Sequence, residues 1–317
     1  MKKALVVGID AYPTPIPPLS GCVNDANKIA ATIETNGDGS PNLSVKLMTT
    51  PNQEVTRPVL REAISQLFIG KCDMALFYFS GHGFLTSTGG YLVTTDASAY
   101  DEGVSMDDIL NLANQSQAQN KVIILDCCHS GALGSPKISR GELAQLSEGL
   151  SVLTASRDSE SAVEVDGSGV FTSLLVDALN GGAADLRGNI TPGSLYAYVD
   201  EALGAWEQRP IFKTNVSNFA PIRQVPPKIP SNKMRKITEY FETPQSEHKL
   251  DPSYEFTEES ADPEKVKIMK DLQKFQSVGL VVPVDEEFMY YAAINSKACR
   301  LTALGYQYWR LVNEKKL

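Results

Sequence analysis

No apolar run in this chain of 317 residues approaches the roughly 18 residues that a membrane span requires. The opening Met1-Lys2-Lys3 leads directly into Ala4-Leu5-Val6-Val7-Gly8-Ile9-Asp10, too short and too quickly acidic for a signal peptide. It reads instead as a first core strand. Cysteine is sparse: five residues, at positions 22, 72, 127, 128 and 299, form an odd and scattered set, two of them adjacent. Such a set excludes a disulfide framework and fits the reduced thiols of a cytoplasmic protein. No ligand pair has zinc spacing, and there is no internal repeat or low-complexity tract. Positive charge is also short. The 29 Lys and Arg stand against 38 Asp and Glu, a net charge of −9 that argues against general binding of polyanions. The deficit is uneven: residues 1–225 hold 15 basic against 24 acidic side chains, whereas residues 226–317 hold 14 of each.

What is present is an ordinary globular composition, 42% hydrophobic and 21% charged, long enough for one large domain and a smaller one. Buried-strand runs occur at Ala4 to Ile9, Met74-Ala75-Leu76-Phe77, Val122-Ile123-Ile124-Leu125 and Leu150 to Ala155, with shorter strands at Ser44 to Met48 and Ile211 to Thr214. Between them lie segments of helical period. Ala26, Ile29, Ala30 and Ile33 mark one; Val59, Leu60, Ala63, Ile64 and Leu67 mark a second, which Thr56 caps. Further helices are expected over 105–114, 170–179 and from Thr191-Pro192 to about Gly204. Strands alternating with helices predict an α/β fold, a mostly parallel sheet flanked by helices.

Two of the strands end in chemistry. Tyr78-Phe79-Ser80-Gly81-His82-Gly83 closes one, and Asp126-Cys127-Cys128-His129-Ser130-Gly131 closes another. Functional groups gather where parallel strands end. A histidine and a cysteine leaving neighbouring strands at one edge would meet there, with the imidazole handling the thiol proton and the thiolate as nucleophile. A structural role fits His129 better, since it would point away along the chain, and a small buried filler fits Cys127.

Over residues 1–220 or so, the order of Leu19-Ser20-Gly21-Cys22-Val23-Asn24-Asp25-Ala26, Phe79-Ser80-Gly81-His82-Gly83, Tyr91-Leu92-Val93-Thr94-Thr95-Asp96-Ala97, Asp126 to Gly131 and Leu153-Thr154-Ala155-Ser156 resembles the caspase-like cysteine peptidases, and most closely their metacaspase branch. The resemblance implies Cys128 as nucleophile, His82 as its acid/base partner, and the amides of Gly83 and Cys128 as the oxyanion hole. No third member of a triad is evident. It also implies cleavage after Arg or Lys, through acidic residues at the positions of Asp25 and Asp126, with Ser80 lining the same pocket. An arginine would bond such a pair of carboxylates bidentately. Read on their own, Asp25 would be a helix-start carboxylate and Asp126 a strand-end cap. The chemistry itself calls for no cofactor. Calcium is the one ion the resemblance brings, with Asp96, Asp107 and Asp108 matching part of its set and Ser135 standing where a further aspartate belongs. Lys137 and Arg140, in the loop after the nucleophile, would suit self-cleavage.

The expected organisation is a caspase-like peptidase domain over 1–224, a linker over 225–261 that opens Val225-Pro226-Pro227, and an α+β, winged-helix-like domain over 262–317. In the last, Val266, Met269, Leu272 and Phe275 share a helix face, Gly279 to Val282 begins a strand, Phe288 to Ile294 is a strand pairing with it or with Ala298 to Leu301, and Thr302 opens a terminal helix bearing Trp309. Lys265, Lys267, Lys270 and Lys274 could form a basic face, but the region is charge-balanced, and a regulatory or protein-docking role is preferred to DNA binding. The expected partners are protein substrates with Arg or Lys at the cut and a regulatory protein at the C-terminal module, with no membrane. The leading reading is thus a regulated endopeptidase, which the resemblance sets in bacterial defence or cell death; the alternative is an inactive peptidase-like adaptor carrying a DNA-binding or signalling winged helix.

Overall fold

A computed structural model describes residues 1–87, 89–98, 101–127, 146–155, 164–165, 168–203 and 210–317. They fall into two compact units, residues 1–184 with 189–225, and residues 226–317 with the short segment 185–188. In the first unit the elements run β1 (Lys2–Gly8), α1 (Cys22–Ile33), β2 (Leu43–Thr49), α2 (Arg57–Phe68), β3 (Met74–Ser80), β4 (Gly83–Thr86), β5 (Gly89–Ser98), β6 (Asp101–Ser105), α3 (Met106–Gln115) and β7 (Asn120–Asp126). They continue with β8 (Leu150–Thr154), β9 (Glu164–Val165), β10 (Ser168–Gly169), α4 (Val170–Asp177), β11 (Asn189–Ile190), α5 (Pro192–Leu203), β12 (Ile211–Asn215) and β13 (Arg223–Gln224).

A six-stranded sheet in the order β2-β1-β3-β7-β8-β12 forms the centre. Its first five strands are parallel and β12 is antiparallel to β8. The continuous apolar runs of β1, β3 and β7 follow from burial on both faces. Alternate residues divide between the two sides: Val7, Phe77, Phe79, Ile123 and Leu125 pack with Leu60, Ile64 and Ile109 of α2 and α3. Val6, Leu76, Tyr78, Val122 and Ile124 pack with Ile29 of α1, Leu175 of α4 and Val199 of α5. An antiparallel array β4-β5-β6 stands beyond the end of β3.

The second unit carries α6 (Ser231–Met234), α7 (Ile237–Tyr240), β14 (Glu247–Lys249), α8 (Pro263–Ser277), β15 (Val281–Val284), α9 (Met289–Ile294), β16 (Ala298–Leu301) and α10 (Ala303–Asn313). Its antiparallel sheet has the order β14-β16-β15. Asp262 caps α8 by accepting from the amides of Glu264 and Lys265, and the Thr302 hydroxyl caps α10 by accepting from Gly305 at 3.0 Å.

Two expectations need correction here. Residues 226–261 are not a bare linker, because Ile229, Met234, Ile237, Phe241, Leu250 and Tyr254 are buried in one core with Leu272 and Phe275 of α8. Their spacing follows no single period, since they come from two short helices, a 3-10 turn and the segments that join them. Residues 289–294 form a helix rather than a strand. Met289, Ala292 and Ala293 recur at helical spacing and pack into that core, while Phe288, Tyr290 and Tyr291 stay exposed. The aromatic content favours strand locally, and packing overrides it.

Candidate active site

Three strand ends set the site. Gly8 of β1 pairs with Ser80 of β3, and Ser80 with Asp126 of β7, so the strands stop at one level. The chain keeps bonding across this edge: the Ile9 amide donates to the Ser80 carbonyl at 3.0 Å and the Gly81 amide to the Asp126 carbonyl at 3.4 Å. His82 lies two residues past the end of β3. In sequence Cys128 follows the end of the adjacent β7 by the same step. Cys128, His129, Lys137 and Arg140 lie outside the described residues, and the distance from sulfur to imidazole with them. Cys127 is buried in the core at 1% exposure.

His82 is gripped from two sides by the loop after β1. Its amide donates to the Tyr12 hydroxyl at 2.8 Å, and the Tyr12 ring packs on the imidazole with centroids 4.7 Å apart. Its Nε2 lies 2.8 Å from the Pro17 carbonyl. A carbonyl can only accept, so Nε2 carries the hydrogen and Nδ1 is the nitrogen able to take up a proton. Burial holds the Tyr12 phenol well above its usual range, against the opposing hydrogen bond from His82, so it stays neutral. Gly81 permits the grip: a Cβ there would lie 2.5 Å from the Tyr12 hydroxyl and 2.9 Å from the Phe79 ring. Gly83 begins β4 opposite Leu92.

Asp25 and Asp126 come together although 101 positions separate them in sequence. The Asp10 carboxylate accepts from the amides of Cys22 at 2.8 Å and Val23 at 3.3 Å, which pins the start of α1 to the end of β1 and turns Asp25 inward. Both carboxylates are buried, at 2% and 5% exposure, and converge on Gly169 at the head of α4. A Cβ on Gly169 would meet the Oδ2 of Asp126 at 2.9 Å and that of Asp25 at 3.2 Å. The Gly169 amide donates to Asp25 at 3.0 Å and the Thr172 hydroxyl to Asp126 at 2.6 Å. Thr172 is in turn 2.5 Å from the Tyr78 hydroxyl, which must donate because the threonine proton is spent on Asp126. Ser80 is buried beside them and bonds the Cys22 thiol. Burial pushes that thiol far up, the Ser80 bond opposes the shift, and Asp10, Asp126 and Asp25 reinforce it, which makes Cys22 an inert core thiol.

Asp96, Asp107 and Asp108 do not gather. Asp96 accepts from the Thr94 hydroxyl at 2.7 Å and from the Arg57 amide at 2.9 Å, closing the start of α2. Asp108 faces Arg61 at 3.9 Å on the surface. Among the described residues no group of three His, Cys, Asp or Glu side chains could hold a metal ion. In the second unit, Lys265 pairs with Asp251 at 2.9 Å and Lys267 with Glu264 at 2.6 Å, which leaves only Lys270 and Lys274 of the expected basic face outside these pairs. No described helix is long and apolar enough to cross a membrane.

Pro17, Tyr12, Gly169 and Thr172 escape the sequence reading. Pro17 acts through a backbone carbonyl, which no side chain signals. Tyr12 follows the first strand in a segment without periodicity or motif, and Gly169 and Thr172 stand at the start of a helix that reads as core.

The model of the Caspase domain family matches residues 1–221. Among solved structures, the fold is similar to protein GSU0716 from Geobacter sulfurreducens, at TM-score 0.53 and 18% identity over 71% of this chain and 97% of that one. It is also similar to Caspase-1 from Spodoptera frugiperda, at TM-score 0.52 and 13% identity over 71% and 90%. No curated protein matches the chain in sequence.

Proposed function

Since the chain belongs to the caspase domain family through residues 1–221, we propose that it is a cysteine endopeptidase of metacaspase type that cuts after Arg or Lys. The observation that carries the reading is the shared strand edge: His82, its Nε2 held on the Pro17 carbonyl, leaves β3 next to β7, whose end precedes Cys128 by two residues. In the reaction the Cys128 thiolate attacks the scissile carbonyl carbon and forms a C–S bond. The oxygen takes the charge, opposite the amides of Gly83 and Cys128; one such donor is worth on the order of 10²–10³ in rate. His82 then protonates the leaving amine as the C–N bond breaks. Water, losing a proton to His82, attacks the thioester; C–S cleavage releases the carboxylate product and returns the thiolate.

Specificity for a basic residue rests on Asp25 and Asp126. Two carboxylates converging on one glycine concentrate negative potential, and a guanidinium or ammonium answers it. Ser80 stands at the base of the same cluster. Fluorogenic peptides varied before the scissile bond test the reading, with wild type beside Cys128→Ala. Arg and Lys peptides should turn over in wild type only; equal turnover of an aspartate peptide would refute the specificity. Lys137 and Arg140 then become sites of self-cleavage, and a single intact band after prolonged incubation of active enzyme would count against that.

For residues 226–317 the reading is a regulatory, winged-helix-like module that docks a protein partner. The sheet order β14-β16-β15, with α8 entering β15, supports the winged-helix likeness. Pairing of Lys265 and Lys267 with acids argues for a protein partner over DNA; a gel shift with duplex DNA would reverse that order and favour the adaptor reading. The setting, a regulated effector in bacterial defence or cell death, rests on the family resemblance.

A further inference from the structure

A cavity of about 500 Å³ opens beside His82 in the peptidase unit. Ile16 and Pro17 from the loop after β1, Phe84 of β4 and Val93 of β5 form its apolar walls, and His82 and Gly83 close one side. Among the described residues no Asp, Glu, Lys or Arg lines it, and Asp25, Ser80 and Asp126 are not part of it. The buried acidic cluster therefore lies outside the apolar cavity, of which His82 is a wall. Phe84 is 48% exposed, a large apolar side chain kept at the mouth of a cleft rather than in the core.

The side of the scissile bond follows from proton transfer. On the reading above, on which this inference rests, His82 delivers a proton to the leaving amine. The leaving nitrogen must then lie within hydrogen-bond reach of the imidazole. The residue attached to that nitrogen, the first after the scissile bond, is the substrate residue brought closest to the cavity. We propose that the cavity receives that residue's side chain, so that the enzyme selects an aliphatic or aromatic residue after the bond as well as a basic one before it. The cavity's size lies within the roughly 300–1,000 Å³ of pockets that enclose small ligands, so the following residue can share it. A charged side chain placed there would lose hydration and find no counter-charge on the described walls.

Quenched-fluorescence peptides identical except for Leu, Phe, Ser, Lys or Asp after a fixed Arg test this on the full chain. Wild type should turn over the Leu and Phe peptides about 10-fold faster in kcat/KM than Ser, with Asp slowest, the discrimination expected of an apolar pocket. Phe84→Asp should move the ratio of Lys to Leu turnover upward by a similar factor while the preference for Arg over Asp before the bond persists. Each is a ratio within one protein, so partial misfolding cannot mimic it. An Arg acyloxymethyl ketone separates the two levels of the argument. Labelling of Cys128 together with a flat profile, with the charged peptides fastest, or with an unmoved ratio in Phe84→Asp overturns the cavity's role alone. No labelling and no cleavage overturns the peptidase reading, and this inference with it.

Discussion

Both units bury acid, and they hold it differently. In the C-terminal unit Asp271 of α8 is 5% exposed at its side chain and receives Lys233 at 2.9 Å, Lys236 at 3.4 Å and the Tyr240 hydroxyl at 2.9 Å. Burial alone would push its carboxyl up, but the hydrogen bonds from Lys233 and Tyr240, with the charge of Lys233 and a bond from Lys236, hold it below the usual 3.8. That carboxylate ties α6 and α7 to α8. In the peptidase unit Asp25 and Asp126 lie side by side and take an amide and a hydroxyl from α4. The contrast is one of what holds each acid: Asp271 has Lys233 and Lys236 for counter-charge, whereas Asp25 and Asp126 are held on α4 by Gly169 and Thr172, and it is the proposed reading of the site that sets a substrate's basic side chain against their joint potential.

The comparison can be broken hardest at the catalytic edge. His82→Ala should lower kcat by on the order of 10⁴-fold or more, with hydrogen exchange of residues 226–317 unchanged; retained turnover in single-turnover assays would remove His82 from the chemistry. Next, Asp126→Asn should cost roughly 10²-fold or more in kcat/KM for Arg peptides, because it withdraws one carboxylate from a buried charge pair with substrate. A neutral glutamine peptide should lose far less, and equal losses for both would make Asp126 a structural acid like Asp271. Asp271→Asn sharpens the other side: it should lower the stability of residues 226–317 by about 2 kcal/mol, read by segment-resolved hydrogen exchange, and leave the ratio of Arg to Gln turnover alone. The sign with pH is fixed by a carboxyl lowered on folding. Its contribution is complete above the unfolded value near 3.8 and vanishes as pH falls through the lower folded value. Wild type and variant should therefore differ most near neutrality and converge in acid. The smallest effect belongs to Tyr12→Phe, which removes the acceptor of the His82 amide and keeps the ring; a loss of about 1 kcal/mol, or about 5-fold in kcat, with KM unchanged marks a positioning role.

Much of this was legible before folding. The apolar runs at 74–77 and 122–125 identify two-faced core strands on their own, and a motif that follows such a strand in a parallel sheet has one place to go. Hence the sequence determined the α/β class and the strand edge at which His82 lies and after which Cys128 follows in sequence, and the family resemblance it carries made candidates of Asp25 and Asp126. Only tertiary structure decided that the Pro17 carbonyl completes the setting of the imidazole, that Gly169 and Thr172 hold the two acids together, that Asp96 closes a helix and Asp108 faces an arginine, and that 289–294 is helix. The reason is physical. Periodicity and motif spacing record what each segment buries, whereas a backbone carbonyl, a bare Cα or an aspartate's chosen donor acquires its role from whichever distant segment packs against it.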